Sequence, residues 1–134
     1  DEATVRKLYT LAEAFKDSVT SKDIQGMKDT DMPFHRLIID SCGNPYLIQS
    51  YEQILPKLTM YQSSMLRFLG DNGSESNPWM PSVLYNHVSI VSAIRMRMPE
   101  LARQSMIDHI DSSLNFTALS GNGGDPFRAI AESR

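Results

Sequence analysis

A chain of 134 residues suits one domain with a hydrophobic core of its own. Its 41% hydrophobic and 22% charged residues exclude a disordered chain, and a formal charge of −3 with scattered Lys and Arg argues against nucleic-acid binding by this chain alone. No apolar run approaches the roughly 20 residues that cross a bilayer, the polar start is no secretory signal, and a single cysteine, Cys42, excludes an intrachain disulfide framework and fits a reducing cytoplasm. Cys42 itself reads as a small buried apolar residue. The chain opens on Asp1 without an initiator Met, which is the expectation for a fragment or processed product.

The apolar residues Val5, Leu8, Leu11, Ala12 and Phe15 recur at three- and four-residue steps and predict an amphipathic helix from Ala3 to about Val19. Thr20 or Ser21 is positioned to cap a second helix that runs to about Ser41, with Ile24, Met27, Phe34, Leu37, Ile38 and Ile39 inward. Pro33 falls inside it and predicts a distortion, because proline removes one backbone donor. Cys42-Gly43-Asn44-Pro45 is strong punctuation: a left-handed Gly to end one helix, Asn to cap the next, and Pro at its first position. The third helix, about Pro45 to Leu69, carries Leu47, Tyr51, Ile54, Leu58, Tyr61, Met65 and Phe68 at core spacing and is interrupted by Pro56.

A polar loop, Gly70 to Pro81, holds the single Trp79. A fourth helix spans about Ser82 to Met96 with Val83, His87, Ile90, Val91 and Ile94 on one stripe. A tight turn follows at Met98-Pro99, and a fifth helix carries Leu101, Ala102, Met106, His109, Ile110 and Phe116 inward. Residues 1–117 thus read as an all-α antiparallel bundle of about five to six helices around a central metal or ligand cavity, and 118–134 as a flexible Gly-rich tail with a frayed turn at Phe127 to Ala131.

Asp31 and His35 stand four residues apart, about one helical turn, so they project from one face. The other two histidines, His87 and His109, lie 11 residues before and 11 after Met98. In an antiparallel hairpin each is then roughly 16 Å from the turn, and the two meet at one level. Buried imidazoles need partners, and one carboxylate with three imidazoles suits Zn²⁺, with Ni²⁺, Fe²⁺, Co²⁺ and Mn²⁺ as alternatives. An i,i+4 Asp/His pair also forms ordinary surface hydrogen bonds, and a His on an apolar stripe is also an ordinary core residue. Spacing alone leaves both readings open.

Asp31-x-x-Phe34-His35-x-Leu37, Gly43-Asn44-Pro45, His87 with Ala93-Ile94, and Ala102-x-x-x-Met106-x-x-His109 together resemble the effector-binding C-terminal domain of GntR-family transcription regulators of the FadR subfamily, from about Lys22 to Leu114. The resemblance implies a divalent ion held by Asp31, His35, His87 and His109, a small carboxylic acid bound beside it, and a homodimer. It also implies control of operator DNA through an N-terminal winged helix-turn-helix domain, which this chain does not show. Asn86 stands where many members have an acidic residue. Lys57 and Tyr61 share the helix face that lines the effector cavity in such proteins, and Ser105 lies one turn from His109; these three are candidate effector contacts, and ordinary helix residues otherwise.

Arg95, Arg97 and Arg103 read as a solvated face that offsets helix dipoles rather than an anion clamp. Met60, Met65, Met96 and Met106 read as core filler. Two alternatives remain: a metal-dependent hydrolase, which lacks a second acid on the face of the site because Asp108 points about 100° from His109, and a metal-free helical interaction module.

Overall fold

The computed structural model describes residues 1–72 and 80–119. These form five helices: α1 (Glu2–Ser21), α2 (Ile24–Ser41), α3 (Pro45–Asn72), α4 (Met80–Arg95) and α5 (Pro99–Leu119). The fold is all-α, as the periodicity predicts, and among the described residues it contains no strand. The loop expected from Gly70 to Pro81 is shorter at both ends, since α3 continues to Asn72 and α4 begins at Met80; its middle with Trp79 and the turn expected at 127–131 lie outside the described residues, as do the side chains of Met65, Phe68, Val83 and Phe116.

Packing follows the apolar stripes. α1 buries Leu8, Ala12, Phe15 and Val19, a 4-3-4 spacing on one face. It packs against both α2 and α4, while α3 packs on α2 and α5 on α4. The core joins Leu8 and Ala12 of α1 to Phe34 of α2 and to Ile90 and Val91 of α4. Side chains of this size contribute about 1.5–3 kcal/mol each on full burial.

Local chemistry ends α1, α2 and α4. At the α1–α2 junction Lys22 adopts φ 60°, the Lys22 N–H donates to the Val19 carbonyl and the Asp23 N–H to Ser18. This is a Schellman closure without glycine. Asp23, rather than Thr20 or Ser21, then caps α2 by accepting from the Gly26 N–H, because α1 continues through Ser21 and uses those hydroxyls on its own carbonyls. The same closure recurs at the α4–α5 turn, where Arg97 has φ 56°, Arg97 donates to Ile94 and Met98 to Ala93. Between α2 and α3 the expected sequence holds: Gly43 has φ 67°, and the Asn44 side chain accepts from the Tyr46 and Leu47 N–H groups. Cys42 at this turn is exposed, not buried.

Several residues read as core are exposed. Leu47, Ile54 and Met60 of α3 are about half exposed, as are Met96, Leu101 and Ile110 of the α4–α5 hairpin. α3 packs chiefly on α2 and α5 chiefly on α4, so each has one principal neighbour to cover its apolar face.

Candidate metal centre

Four side chains from three helices converge beside the core. α2 runs unbroken through Pro33, whose missing N–H falls on an exposed face, so Asp31 and His35 keep helical register. His35 Nε2 lies 3.6 Å from Asp31 Oδ1. From α4, His87 Nε2 lies 3.3 Å from the same oxygen. From α5, His109 Nε2 lies 3.2 Å from His35 Nε2. The hairpin arithmetic about Met98 is thus realised, with the rings of His87 and His109 centred 4.8 Å apart. One nitrogen from each of the three imidazoles can be chosen so that all lie within 4.8 Å of one another.

These separations carry chemical information. Ligand atoms about 2.0–2.1 Å from a tetrahedral zinc ion stand about 3.3 Å from each other. Three of the separations, 3.2, 3.3 and 3.6 Å, are close to that spacing. Both ring nitrogens of His87 and Nδ1 of His109 are buried without a hydrogen-bond partner; the His87 approach to Asp31 is close but too oblique for a hydrogen bond. An unpartnered buried nitrogen costs about 1–3 kcal/mol, and ligation is one arrangement in which it is used.

The cluster is sealed most tightly at His87. His87 is 1% exposed, stacked on Phe34 with ring centres 4.3 Å apart and tilted against Phe15 at 4.6 Å. Burial, reinforced by the neighbouring imidazoles His87 and His35, pushes the His109 pKa down to about 3, and burial likewise lowers that of His87 despite the opposing pull of Asp31. Both rings are therefore neutral at pH 7, the form that ligates metal. Burial alone would raise the Asp31 pKa, but close contacts with His35 and His87 overcome it and hold the carboxyl well below the usual range. Three imidazoles that could hold a metal ion thus stand together, with the buried Asp31 carboxylate against two of them, and burial holds His87 and His109 neutral.

Reading the sequence missed one member of the site. Gln62 of α3 is buried and donates Nε2 to Asp31 Oδ2 at 2.6 Å. Its signal is its register: it occupies the four-residue step between Leu58 and Leu66, a polar residue at a core position. Tyr51, also on α3, has a buried hydroxyl without a hydrogen-bond partner, its pKa raised by burial and then by the Asp31 charge.

Of the candidate effector contacts, Tyr61 donates its hydroxyl to the Ser113 carbonyl at 2.7 Å and so ties α3 to α5 one turn beyond His109. Ser105 is partly buried and Lys57 exposed. Arg95, Arg97 and Arg103 are exposed, as a solvated face requires, and Arg103 pairs with Glu100. Asp108 is exposed and engaged by Gln104, away from the site.

A sequence model of the FCD domain matches residues 1–112. The chain belongs to the FCD family. FCD domains are the ligand-sensing domains of GntR-family transcription regulators, which are not enzymes. No curated protein and no solved structure matches the chain significantly. In this FCD domain the match covers all five helices up to the last turns of α5, and with them each of the four convergent side chains. No described helix is long and apolar enough to cross a membrane.

Proposed function

We propose that this FCD domain binds one divalent transition metal, zinc foremost, through Asp31, His35, His87 and His109, and binds a small carboxylic acid beside it. Ligand binding would then bias the arrangement of winged helix-turn-helix domains carried N-terminal to it, and so operator affinity, by stabilising one state more than another. The protein would act in the cytoplasm as a homodimer.

The observation that carries this reading is the convergence of three imidazoles, with nitrogens within 4.8 Å, on a buried carboxylate that two of them approach to 3.3 and 3.6 Å. Such a cluster is costly as a purely structural core. When bound, the ion would supply a Lewis-acidic position for a ligand oxygen. The protein's own contribution is to hold the four donors, keep His87 and His109 neutral and wall His87 with Phe15 and Phe34.

Native mass spectrometry with metal analysis tests the proposal. One metal per chain is expected, lost in His87→Ala and Asp31→Ala. At a free zinc concentration 100 times Kd the ion should add about 2.7 kcal/mol of stability, and carboxylic acids should stabilise the metal-loaded protein further. Absence of stoichiometric metal from protein reconstituted with zinc, or equal stabilisation by acids with and without chelator, would overturn it.

A further inference from the structure

We infer that Gln62 is a positioning residue that makes Asp31 a one-oxygen ligand, and thereby sets the coordination number of the bound ion. This rests on the metal reading above and extends it to a residue outside the set of four ligands. The Asp31 carboxylate is divided between two sets of partners. Oδ2 accepts from Gln62 Nε2 at 2.6 Å, whereas Oδ1 is the oxygen that approaches His87 and His35. A carboxylate has only acceptors to offer, so the Gln62 amide must present its NH₂ side to it. A charge-assisted contact this short competes with a metal for the same lone pairs. With Oδ2 engaged, Oδ1 alone is directed to the point where the imidazole nitrogens converge.

The bond also has the right anchorage. Gln62 is 5% exposed and Asp31 6%, so water does not compete for either partner. The neighbouring residue on α3, Tyr61, is fixed to the carbonyl of Ser113 on α5, and Ser113 Oγ donates in turn to the carbonyl of His109. Adjacent residues of one helix thus hold a ligand of α2 on one side and the ligand-bearing turn of α5 on the other. The helix that carries Gln62 is therefore tied to α2 and to α5 at this level. One-oxygen ligation by Asp31 leaves three imidazoles and one carboxylate oxygen, four protein donors, and keeps the remaining positions for an exogenous ligand.

The test uses the whole 134-residue chain and the metal alone. Gln62→Met keeps the length of the side chain and removes the donor. Zinc affinity, measured by chelator competition well below the melting temperature, should fall 10–100-fold, the range for loss of a group that orients a ligand. With Co²⁺ in place of zinc, the visible bands should change in intensity because the freed Oδ2 enters the coordination sphere. A purely structural Gln62 would lower the melting temperature of the metal-free protein and leave affinity and bands unchanged, which would overturn the inference. A crystal structure of the zinc-loaded wild type decides the matter without any variant: Oδ1 alone on the metal with Gln62 still on Oδ2 supports it, and two-oxygen ligation or a Gln62 turned away refutes it. If the wild type binds no metal at all, the metal reading itself falls, an outcome separate from both.

Discussion

The metal-free protein should lose stability as pH falls from 7 to 5, and His109 sets a minimum for the loss. Its folded pKa is pushed down to about 3 by burial and by neighbouring imidazoles, against about 6.5 in an unfolded chain. Between those values the unfolded state takes up a proton that the folded state refuses, so stability is complete above pH 6.5 and declines below it. Over pH 7 to 5 the linkage integral is about 2 kcal/mol for His109 alone. His87 is shifted in the same direction and adds to it. Asp31 contributes no reversal: its carboxyl is also depressed, so its stabilisation persists until pH falls below the unfolded carboxylate value near 3.9. At about 2.1 cal/mol/K of unfolding entropy per residue, a chain of 134 residues shifts its Tm by about 3–4 °C per kcal/mol. Calorimetry in chelator should therefore show a Tm at least about 7 °C lower at pH 5 than at pH 7, and His109→Gln should show a shallower slope. A Tm that holds or rises on acidification, or a slope that survives His109→Gln, would refute the reasoning.

Three further outcomes follow from the backbone and the core. Gly26→Ala places a Cβ 2.4 Å from Ser18 Oγ and 2.5 Å from Asp23 Oδ2; the clash displaces the cap of α2, and thermal melts should show a loss of about 1–2 kcal/mol. Arg97→Gly relieves a left-handed non-glycine residue at φ 56° and should raise the Tm by up to a few degrees, about 1 kcal/mol or less, with metal content unchanged. Phe34→Ala removes a side chain of 0% exposure that stacks on His87; denaturant melts should register a loss of about 3–5 kcal/mol, and metal affinity should fall with it because His87 loses a wall.

What the sequence discloses about this fold depends on whether the physical cause is local. Gly43-Asn44-Pro45 announces its turn because the left-handed residue, the cap and the first helical position are each filled by the residue type that suits it. The equivalent closures at Lys22 and Arg97 are hidden, since neither residue type favours positive φ and the strain is carried by hydrogen bonds that appear only once the helices are packed. The site divides in the same way. Asp31 and His35 share one helix, and His87 and His109 share one hairpin, so integer spacing places each pair. Gln62 reaches Asp31 from another helix across 31 positions of sequence, and only its polar character in an apolar register betrays it. The exposed Ile54 and Ile110 show the opposite limit: periodicity identifies a face, and the neighbours available to that helix decide how much of the face is covered.

Charge explains why a carboxylic acid, rather than a neutral or cationic effector, suits the proposed site. Asp31 is ionised, and His87 and His109 are held neutral. A divalent ion bound by one carboxylate and three neutral imidazoles would leave a net single positive charge beside the buried His87 and its walls of Phe15 and Phe34. An uncompensated charge there would be expensive, and a bound carboxylate would cancel it. No protein cation is required for this step. Lys57, which might have supplied one, is exposed, so Lys57→Ala should weaken acid binding far less than chelation does. A titration of monocarboxylates against the zinc-loaded protein distinguishes the two sources of attraction. Dependence on metal with indifference to Lys57 supports charge neutralisation at the ion; a large loss in Lys57→Ala with metal retained would place the recognition on the side chain instead.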